Sequence, residues 1–192
     1  IICKGDSFEF KNRPGEKVVF NGVVIGHALP FLDKEKAEQL AMQIASAGFN
    51  AVRFHCHMSW LSKRTSPNWT SGAVSSELDA KNLDKFFYLL SCLKKRGIYY
   101  YFPLAAWGYI KAGIIKDIKG YENQKIRFEL SDLYPISKDA MRFISEFSLN
   151  LLSRKNPYTG MALKNDPALL GLETANENCP FLKFRHNPKL AD

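Results

Sequence analysis

The stretch LDKFFYLLSCLKKRGIYYYFPL, residues 83–104, holds a helix signal and a strand signal in direct succession. The apolar residues of its first half are Leu83, Phe86, Phe87, Leu90 and Leu93. Their spacing, mostly three or four residues, is typical of a helix with one buried face. The basic run KKR and Gly97 suit the last turn and the end of that helix. From Ile98 the chain is continuously apolar and aromatic, which indicates a strand covered on both faces.

The same unit recurs on either side of this stretch. Asp33, Asp79 and Ser137 are predicted to cap three helices, because short oxygen-bearing side chains accept hydrogen bonds from the first turn. Gly48 is predicted to end the first of these helices, and the third is expected to run to about Ser153. The strands predicted after the three helices are FNAVRFH (49–55), IYYYFPL (98–104) and ALLGLETA (168–175).

The N-terminal segment predicts a short hairpin that enters the first buried strand. Its parts are SFEF (7–10), the turn KNRPGE (11–16) and the Val-rich run KVVFNGVVIG (17–26), which is predicted as one strand. The predicted order is therefore a hairpin followed by β-α-β-α-β-α-β, which is typical of parallel α/β proteins. No GxGxxG follows the first strand and no GxxxxGK[ST] occurs, which disfavours a nucleotide-binding doubly wound sheet.

Polar and aromatic residues collect directly after the predicted strands. They are His27, the group Arg53, His55 and His57, the pair Trp107 and Tyr109, and the pair Asn176 and Glu177. The carboxyl ends of the strands are where (β/α)8 barrels build their active sites. A complete barrel takes about 250 residues, whereas this sequence predicts four barrel strands. We therefore expect an α/β TIM (β/α)8 barrel, of which this chain carries the N-terminal hairpin and about the first four βα units.

The composition is that of an ordinary soluble globular domain, with 192 residues, 46% hydrophobic and 24% charged. The net charge of +8 is assigned to a solvated surface, since the basic residues fall on predicted helix exteriors without a nucleic-acid-binding motif. No stretch reaches the roughly 20 apolar residues of a membrane span, and the N-terminus shows no signal-peptide pattern. We therefore expect neither a nucleic-acid nor a membrane partner. The four cysteines form no CxxC pair, so no disulfide framework or zinc ribbon is expected, although a single bridge stays open. Cys92, on the apolar face of a predicted helix, is interpreted as a small core residue.

Several segments resemble glycoside hydrolase clan A, and within it family 5, the cellulase and mannanase family. They are GFNAVRFH (48–55), LDKFFYLLSCLKKRGIYYYFPL (83–104) and NPYTGMALKNDPALLGLETANEN (156–178), and FEFKNRPGEKVVFNGVVIG (8–26) resembles that family's N-terminal hairpin. The resemblance covers nearly all of the chain. Its most specific element is the pair Asn176 and Glu177, with Glu173 shortly before it, and Arg53 at the end of the second barrel strand is next.

The resemblance implies a retaining glycoside hydrolase that cleaves β-linked poly- or oligosaccharides, as cellulases and mannanases do. It gives Glu177 the role of general acid/base, which protonates the departing glycosidic oxygen and then deprotonates the attacking water. It also implies that Asn176 hydrogen-bonds the sugar 2-hydroxyl and that Arg53 holds the nucleophilic carboxylate ionised. Outside this pattern, Glu177 would be interpreted as a solvated loop residue and Arg53 as part of a structural ion pair.

The remaining candidates surround this pair. His55 and His57 alternate at the exit of the second barrel strand, and they are interpreted as substrate-binding residues or as residues that orient the carboxylates. Trp107 is predicted to be a platform for a sugar ring, with loop packing as the alternative. Glu173 is predicted to point into the barrel as a buried, hydrogen-bonded structural carboxylate rather than as a second catalyst. No cofactor and no metal ion is expected. Weaker candidates for sugar stacking are Trp60, Trp69 and Tyr109.

One member of the family's catalytic pair has no counterpart in this chain. The nucleophile of the resembled enzymes is a glutamate at the end of strand seven, and Asp192 is the only acidic residue after Glu177. Residues 1–192 are therefore predicted to be the N-terminal portion of one glycoside hydrolase barrel domain, which needs the remainder of the barrel for activity. The chain alone is predicted to be inactive. Turnover of an aryl β-glycoside by it, lost in Glu177→Gln, would contradict this prediction.

Two other functions stay open at the level of sequence. A non-catalytic carbohydrate-binding barrel would keep the aromatic cleft without working acids, and a glutamate on strand seven would argue against it. A metal-dependent hydrolase would use His55 and His57, because imidazoles at i and i+2 can converge on one ion, and metal analysis would test it. The glycan, the linkage and the mode of attack are not specified by the sequence. The family resemblance favours a secreted or extracytoplasmic location.

Overall fold

The computed structural model describes residues 1–55, 58–63, 75–105, 114–117 and 133–176. The strands are β1 (Ile2–Lys4), β2 (Ser7–Phe10), β3 (Arg13–Val18), β4 (Gly22–Gly26), β5 (Ala51–His55), β6 (Tyr99–Ala105) and β7 (Leu169–Ala175). The helices are α1 (Lys34–Ser46), α2 (Met58–Leu61), α3 (Ala80–Lys95) and α4 (Lys138–Ser153). Strands β1, β2 and β3 form an antiparallel sheet, and β4 to β7 form a parallel sheet in sequence order.

The parallel sheet carries the predicted β-α-β-α-β-α-β order. Helix α1 connects β4 to β5, helices α2 and α3 lie between β5 and β6, and α4 precedes β7. Helices α1, α3 and α4 each lead into a strand that pairs parallel to the one before it, which is the repeated unit of a (β/α)8 barrel. The described residues thus form four barrel strands without a closed barrel, as predicted. None of the helices in this part of the chain is long and apolar enough to cross a membrane.

The prediction for the N-terminal segment was wrong in two respects. The run 17–26 is not one strand, and residues 13–16, which were predicted to belong to the turn 11–16, lie in β3. Strand β3 ends at Val18 and β4 begins at Gly22. The backbone between them binds both the start of β5 and a side chain. The Asn21 carbonyl accepts hydrogen bonds from the backbone N–H groups of Asn50 (3.0 Å) and Ala51 (3.2 Å). Asn50 accepts a hydrogen bond from the backbone N–H of Asn21 (2.7 Å) and donates one to the carbonyl of Val19 (2.7 Å). The chain therefore leaves the antiparallel sheet at this point and enters the parallel one.

The antiparallel sheet packs against the amino end of the barrel strands through aromatic rings. Phe8 of β2 contacts Phe20 edge to face, with ring centroids 5.5 Å apart. Phe20 contacts Tyr99 at the start of β6 in the same manner, at 5.8 Å. Such edge-to-face pairs add about 0.5–1.5 kcal/mol beyond the area that they bury. This sheet therefore lies at the opposite end of the barrel strands from the predicted active site.

Two of the three predicted helix caps are confirmed. Asp79 and Ser137 accept hydrogen bonds from backbone N–H groups in the first turns of α3 and α4. Asp33 precedes α1 but makes no capping bond. Its carboxylate instead accepts a hydrogen bond from Lys85 Nζ of α3 (2.7 Å), so the cap prediction was wrong there. Gly48 and Gly97 have φ of +80° and +70°, as expected of glycines that end helices.

The core lies between the parallel sheet and its helices. Phe54 of β5 and Phe102 of β6 are fully buried, and both rings contact Phe86 of α3, at 5.1 and 6.3 Å. Cys92 is also fully buried, which confirms it as a small core residue, while Cys3 is exposed. Large aromatic side chains bury much apolar area, so this layer supplies most of the stabilisation of the described sheet.

The other face of the sheet is not covered by described residues, although the sequence predicted strands buried on both faces. On β5, Val52 and Phe54 face the helices and are fully buried, whereas Arg53 and His55 alternate with them and are half-buried. Val24 of β4, in register with Arg53, is 58% exposed. Because side chains alternate along a strand, this open face carries every second residue. In a closed barrel, strands on the opposite wall cover it.

Candidate active site

A polar cluster lies on the open face of the parallel sheet, toward the carboxyl ends of its strands. Arg53 and His55 come from β5, Glu173 comes from β7, and Asn176 follows directly after β7. Strand β6 lies between β5 and β7, so the contacts cross one intervening strand. The long Arg53 side chain makes this possible, and it contacts the three other residues. Two of these contacts join residues more than 100 positions apart in the sequence.

The centre of the cluster is a two-point ion pair between Arg53 and Glu173. Arg53 Nε donates to Glu173 Oε1 at 2.5 Å, and Arg53 Nη2 donates to Glu173 Oε2 at 2.6 Å. This fork-to-fork arrangement fixes the guanidinium in both distance and plane. The hydrogen bonds from Arg53 lower the pKa of Glu173, although partial burial acts in the opposite direction. Glu173 is therefore ionised at neutral pH and cannot serve as a proton donor there.

Glu173 was predicted to be a buried, hydrogen-bonded structural carboxylate. Its hydrogen bonding is confirmed, whereas the prediction of full burial was wrong. Its side chain is 30% exposed and that of Arg53 is 19% exposed, so the pair is half-buried. The sequence had implied a different partner for Arg53, the nucleophilic carboxylate. One signal could have identified this pair. The two residues have opposite charges and lie on the same face of β5 and β7, which are separated by one strand.

Asn176 is held by the same guanidinium. Arg53 Nη2 donates to Asn176 Oδ1 at 2.7 Å, and the residue is only 7% exposed. Because arginine has no acceptor, the oxygen of the amide must face Arg53 and the NH₂ group must point away. Asn176 Nδ2 has no hydrogen-bond partner among the described residues. A buried donor without a partner costs about 1–3 kcal/mol, so a ligand acceptor placed there would be favoured.

His55 contacts the other side of Arg53. Arg53 Nη1 lies 3.4 Å from His55 Nδ1, a long hydrogen bond in which arginine must be the donor. Neutral His55 therefore carries its proton on Nε2. A guanidinium beside Nδ1 also disfavours a metal cation at that nitrogen. Within the described ranges, no group of three or more potential metal-binding side chains occurs.

Gly26, the last residue of β4, allows that strand to approach His55 closely. A Cβ atom at position 26 would lie 3.1 Å from the backbone oxygen of His55 and 3.3 Å from its Cβ atom. Side chains rarely tolerate such short contacts, so glycine fits this position. The following residue, His27, has a φ of 53°, which is uncommon for a residue other than glycine. The sequence analysis did not identify Gly26, because the close approach arises only when the strands pair.

Three predicted site residues, Glu177, His57 and Trp107, lie outside the described residues, as do Trp69 and Tyr109. Of the predicted set, the structure thus brings together Arg53, His55 and Asn176. Trp60 of α2 stacks on Phe31 with ring centroids 5.7 Å apart. Because its ring is engaged in this packing, its structural interpretation is favoured over a sugar platform.

The described fold is part of a (β/α)8 barrel with a charged and polar cluster at the carboxyl end of its strands. No protein-family model and no curated protein matches the sequence. Solved structures do match. The endo-1,4-β-mannanase from Rhizomucor miehei is 19% identical with a TM-score of 0.64, and the match covers 91% of this chain and 47% of the mannanase.

Two further solved structures give the same result. A glycoside hydrolase family 5 mannosidase from Rhizomucor miehei is 17% identical, with a TM-score of 0.60 and coverage of 93% of this chain and 49% of the mannosidase. The endo-β-1,4-mannanase from Thermotoga petrophila is 14% identical, with a TM-score of 0.58 and coverage of 85% and 36%. The chain therefore spans about half or less of these structures. At this level of identity they establish the fold, a partial barrel like that of family 5 glycoside hydrolases, which confirms the predicted fold class.

Proposed function

We propose that the protein carrying this chain is a retaining glycoside hydrolase that cleaves O-glycosidic bonds of β-linked poly- or oligosaccharides by double displacement. Glu177 is the general acid/base in this proposal, and the nucleophilic glutamate belongs to the remainder of the barrel. The partial barrel fold supports the proposal, and so do neighbours named as mannanases and a mannosidase. The substrate is a saccharide of the cellulose or mannan type.

The observation that carries the proposal is the state of Asn176. Its amide oxygen is fixed by Arg53, and its buried Nδ2 has no hydrogen-bond partner among the described residues. A pre-oriented donor at the carboxyl end of a barrel strand suits a sugar hydroxyl. In retaining glycosidases, hydrogen bonds to the 2-hydroxyl strengthen in the transition state. Glu177 is the next residue along the chain, and the family resemblance assigns the acid/base role to it.

The proposed reaction has two steps. The nucleophilic carboxylate attacks the anomeric carbon while Glu177 transfers its proton to the glycosidic oxygen, which leaves as an alcohol. Glu177, now ionised, then removes a proton from water, and that water releases the sugar from the covalent intermediate. His55 and His57 bind substrate hydroxyl groups in this proposal, and Trp107 stacks on a sugar ring. A metal-dependent reaction is disfavoured by the guanidinium of Arg53 beside His55.

The test uses the complete protein and compares substrates that differ in their need for an acid. On unactivated β-1,4-linked mannan or cellulose oligosaccharides, Glu177→Gln should lower kcat/KM by about 100- to 10,000-fold, the usual contribution of general acid–base catalysis. On a dinitrophenyl β-glycoside the loss in the first step should be much smaller, because that leaving group needs no proton. Azide, which attacks without a general base, should restore turnover of this substrate by Glu177→Ala.

Glu16→Gln is the matched control, since it makes a comparable chemical change in the antiparallel sheet, where Glu16 pairs with Arg13. It should leave both activities within about twofold, as expected of a surface substitution. If Glu177→Gln retained most of its activity on the unactivated oligosaccharides, Glu177 could not be the general acid.

A further inference from the structure

The described contacts give every part of the Arg53 guanidinium a defined neighbour. Nε and Nη2 bind the two oxygens of Glu173, Nη2 also binds Asn176 Oδ1, and Nη1 faces His55 Nδ1. The contacts to Glu173 are the only two-point contacts in this set. Two parallel hydrogen bonds restrict rotation of the guanidinium plane, whereas single bonds to an amide or an imidazole do not. Among the described contacts of Arg53, the pair with Glu173 therefore restrains its orientation most.

We propose that Glu173 is a positioning residue, which locks Arg53 so that Asn176 presents its Nδ2 donor to the saccharide 2-hydroxyl. The inference rests on the proposed function and deepens it. Glu173 does not touch the sugar, and it acts through two successive contacts of 2.6 and 2.7 Å. Without its carboxylate, Arg53 keeps its charge but loses its fixed plane. The Asn176 amide then loses the bond that determines which of its two ends faces the substrate.

If the Arg53–Glu173 pair served only to stabilise the fold, we would expect it to be buried. The side chains of Arg53 and Glu173 are 19% and 30% exposed, and they lie on the open face of the sheet, away from the helices. Ion pairs that remain accessible to water contribute little to stability. A buried pair lies just before the amino end of β7, where Lys94 of α3 binds Asp166, whose side chain is 2% exposed. That second pair provides a matched control within the same protein.

The decisive experiment measures each variant on two substrates, one with the 2-hydroxyl group and one without it. In the complete protein, kcat/KM is measured on an aryl β-glycoside and on its 2-deoxy analogue. Glu173→Gln should lower kcat/KM about 10- to 100-fold on the substrate with the 2-hydroxyl, the usual effect of a misplaced catalytic contact. On the 2-deoxy substrate the loss should be less than about threefold, since the contact is already missing. Asn176→Ala should show the same pattern.

The control Asp166→Asn should lower the melting temperature more than Glu173→Gln does, yet leave kcat/KM on both substrates nearly unchanged. Equal losses of Glu173→Gln on the two substrates would overturn the inference, because Glu173 would then act on something other than the 2-hydroxyl contact. A comparable loss in Asp166→Asn would overturn it as well, because any weakening of the fold would suffice.

A readout independent of activity separates this inference from the proposed function. If the complete protein hydrolyses no β-glycoside, the proposed function fails, but the local contacts can still be measured by ¹⁵N NMR. Glu173→Gln should shift the side-chain amide signals of Asn176, assigned through Asn176→Ala, and should speed hydrogen exchange at Arg53 Nε. Unchanged Asn176 amide signals in Glu173→Gln would contradict a positioning role, whatever the enzyme does.

Discussion

Two ion pairs involve β7 or the residues just before it, namely Arg53 with Glu173 and Lys94 with Asp166. Removing the cation of each pair should rank the two variants in opposite orders for stability and for activity. Lys94→Met leaves the Asp166 carboxylate, 2% exposed, with the backbone N–H of Ala168 as its remaining described hydrogen bond. An uncompensated buried charge costs about 3–5 kcal/mol. Arg53→Met leaves Glu173 30% exposed on an open face, where water can replace the lost bonds. We expect a loss of only about 1–2 kcal/mol for that variant.

Activity should follow the reverse order, because only the Arg53 pair lies at the carboxyl end of the barrel strands. Urea unfolding of the complete protein gives the change in unfolding free energy from the midpoint, provided that the slope m is unchanged. Hydrolysis of an aryl β-glycoside gives kcat/KM for the same samples. Lys63→Met, which breaks the exposed pair with Glu77, is the control and should change stability by less than about 0.5 kcal/mol. A larger stability loss in Arg53→Met than in Lys94→Met would mean that the half-buried pair stabilises the fold more than the buried pair does, contrary to this expectation.

Three further predictions concern single positions. The pKa of Glu173 is lowered in the folded protein. The Arg53–Glu173 pair therefore contributes its full stabilisation of the fold above the ordinary pKa of 4.5 and loses it as pH falls through the lowered pKa. The stability gap between wild type and Glu173→Gln, followed by urea unfolding, should therefore narrow from pH 6 to pH 3, and a constant gap would contradict this. Gly26→Ala should displace His55 and lower kcat/KM about tenfold, whereas Gly22→Ala, whose nearest atom is 3.8 Å away, should not. Ser148→Ala should stabilise the fold by about 1 kcal/mol and so raise the melting temperature, because the buried Ser148 hydroxyl has no hydrogen-bond partner among the described residues. A lower melting temperature in Ser148→Ala would count against this prediction.

The sequence predicted the barrel units well because their signals are local. The helix over 138–153 has its cap at Ser137 and its end at Ser153, as expected. The same holds for the strand near 169–175, which is a short apolar run after turn residues. Each of these signals depends on neighbours within a few positions, and such signals can be read without knowing the fold.

The predictions failed where a residue far along the chain forms a hydrogen bond with a group that the local sequence pattern assigns to its own strand or helix. Asn50 hydrogen-bonds the backbone at residues 19–21, about 30 positions away, and so divides a run that reads as one strand. Lys85 binds Asp33 across 52 positions and removes it from its capping role. The role predicted for Arg53 beside the nucleophilic carboxylate stays a prediction, and its pair with Glu173 spans 120 positions, so no local pattern indicates it. Side-chain partners of this kind become visible only when the strands and helices are packed.

The strand order of the parallel sheet bears on how the protein folds as it is synthesised. Each described strand from β4 to β7 pairs with the next one along the chain, and none inserts between two earlier strands. The sheet can therefore grow at one edge as the chain leaves the ribosome, without breaking strand pairs already made. The Arg53 and Glu173 pair, separated by 120 positions, forms only when the fourth barrel strand docks. Until then Arg53 lacks its two-point partner, so the polar cluster is completed late in the assembly of this half-barrel.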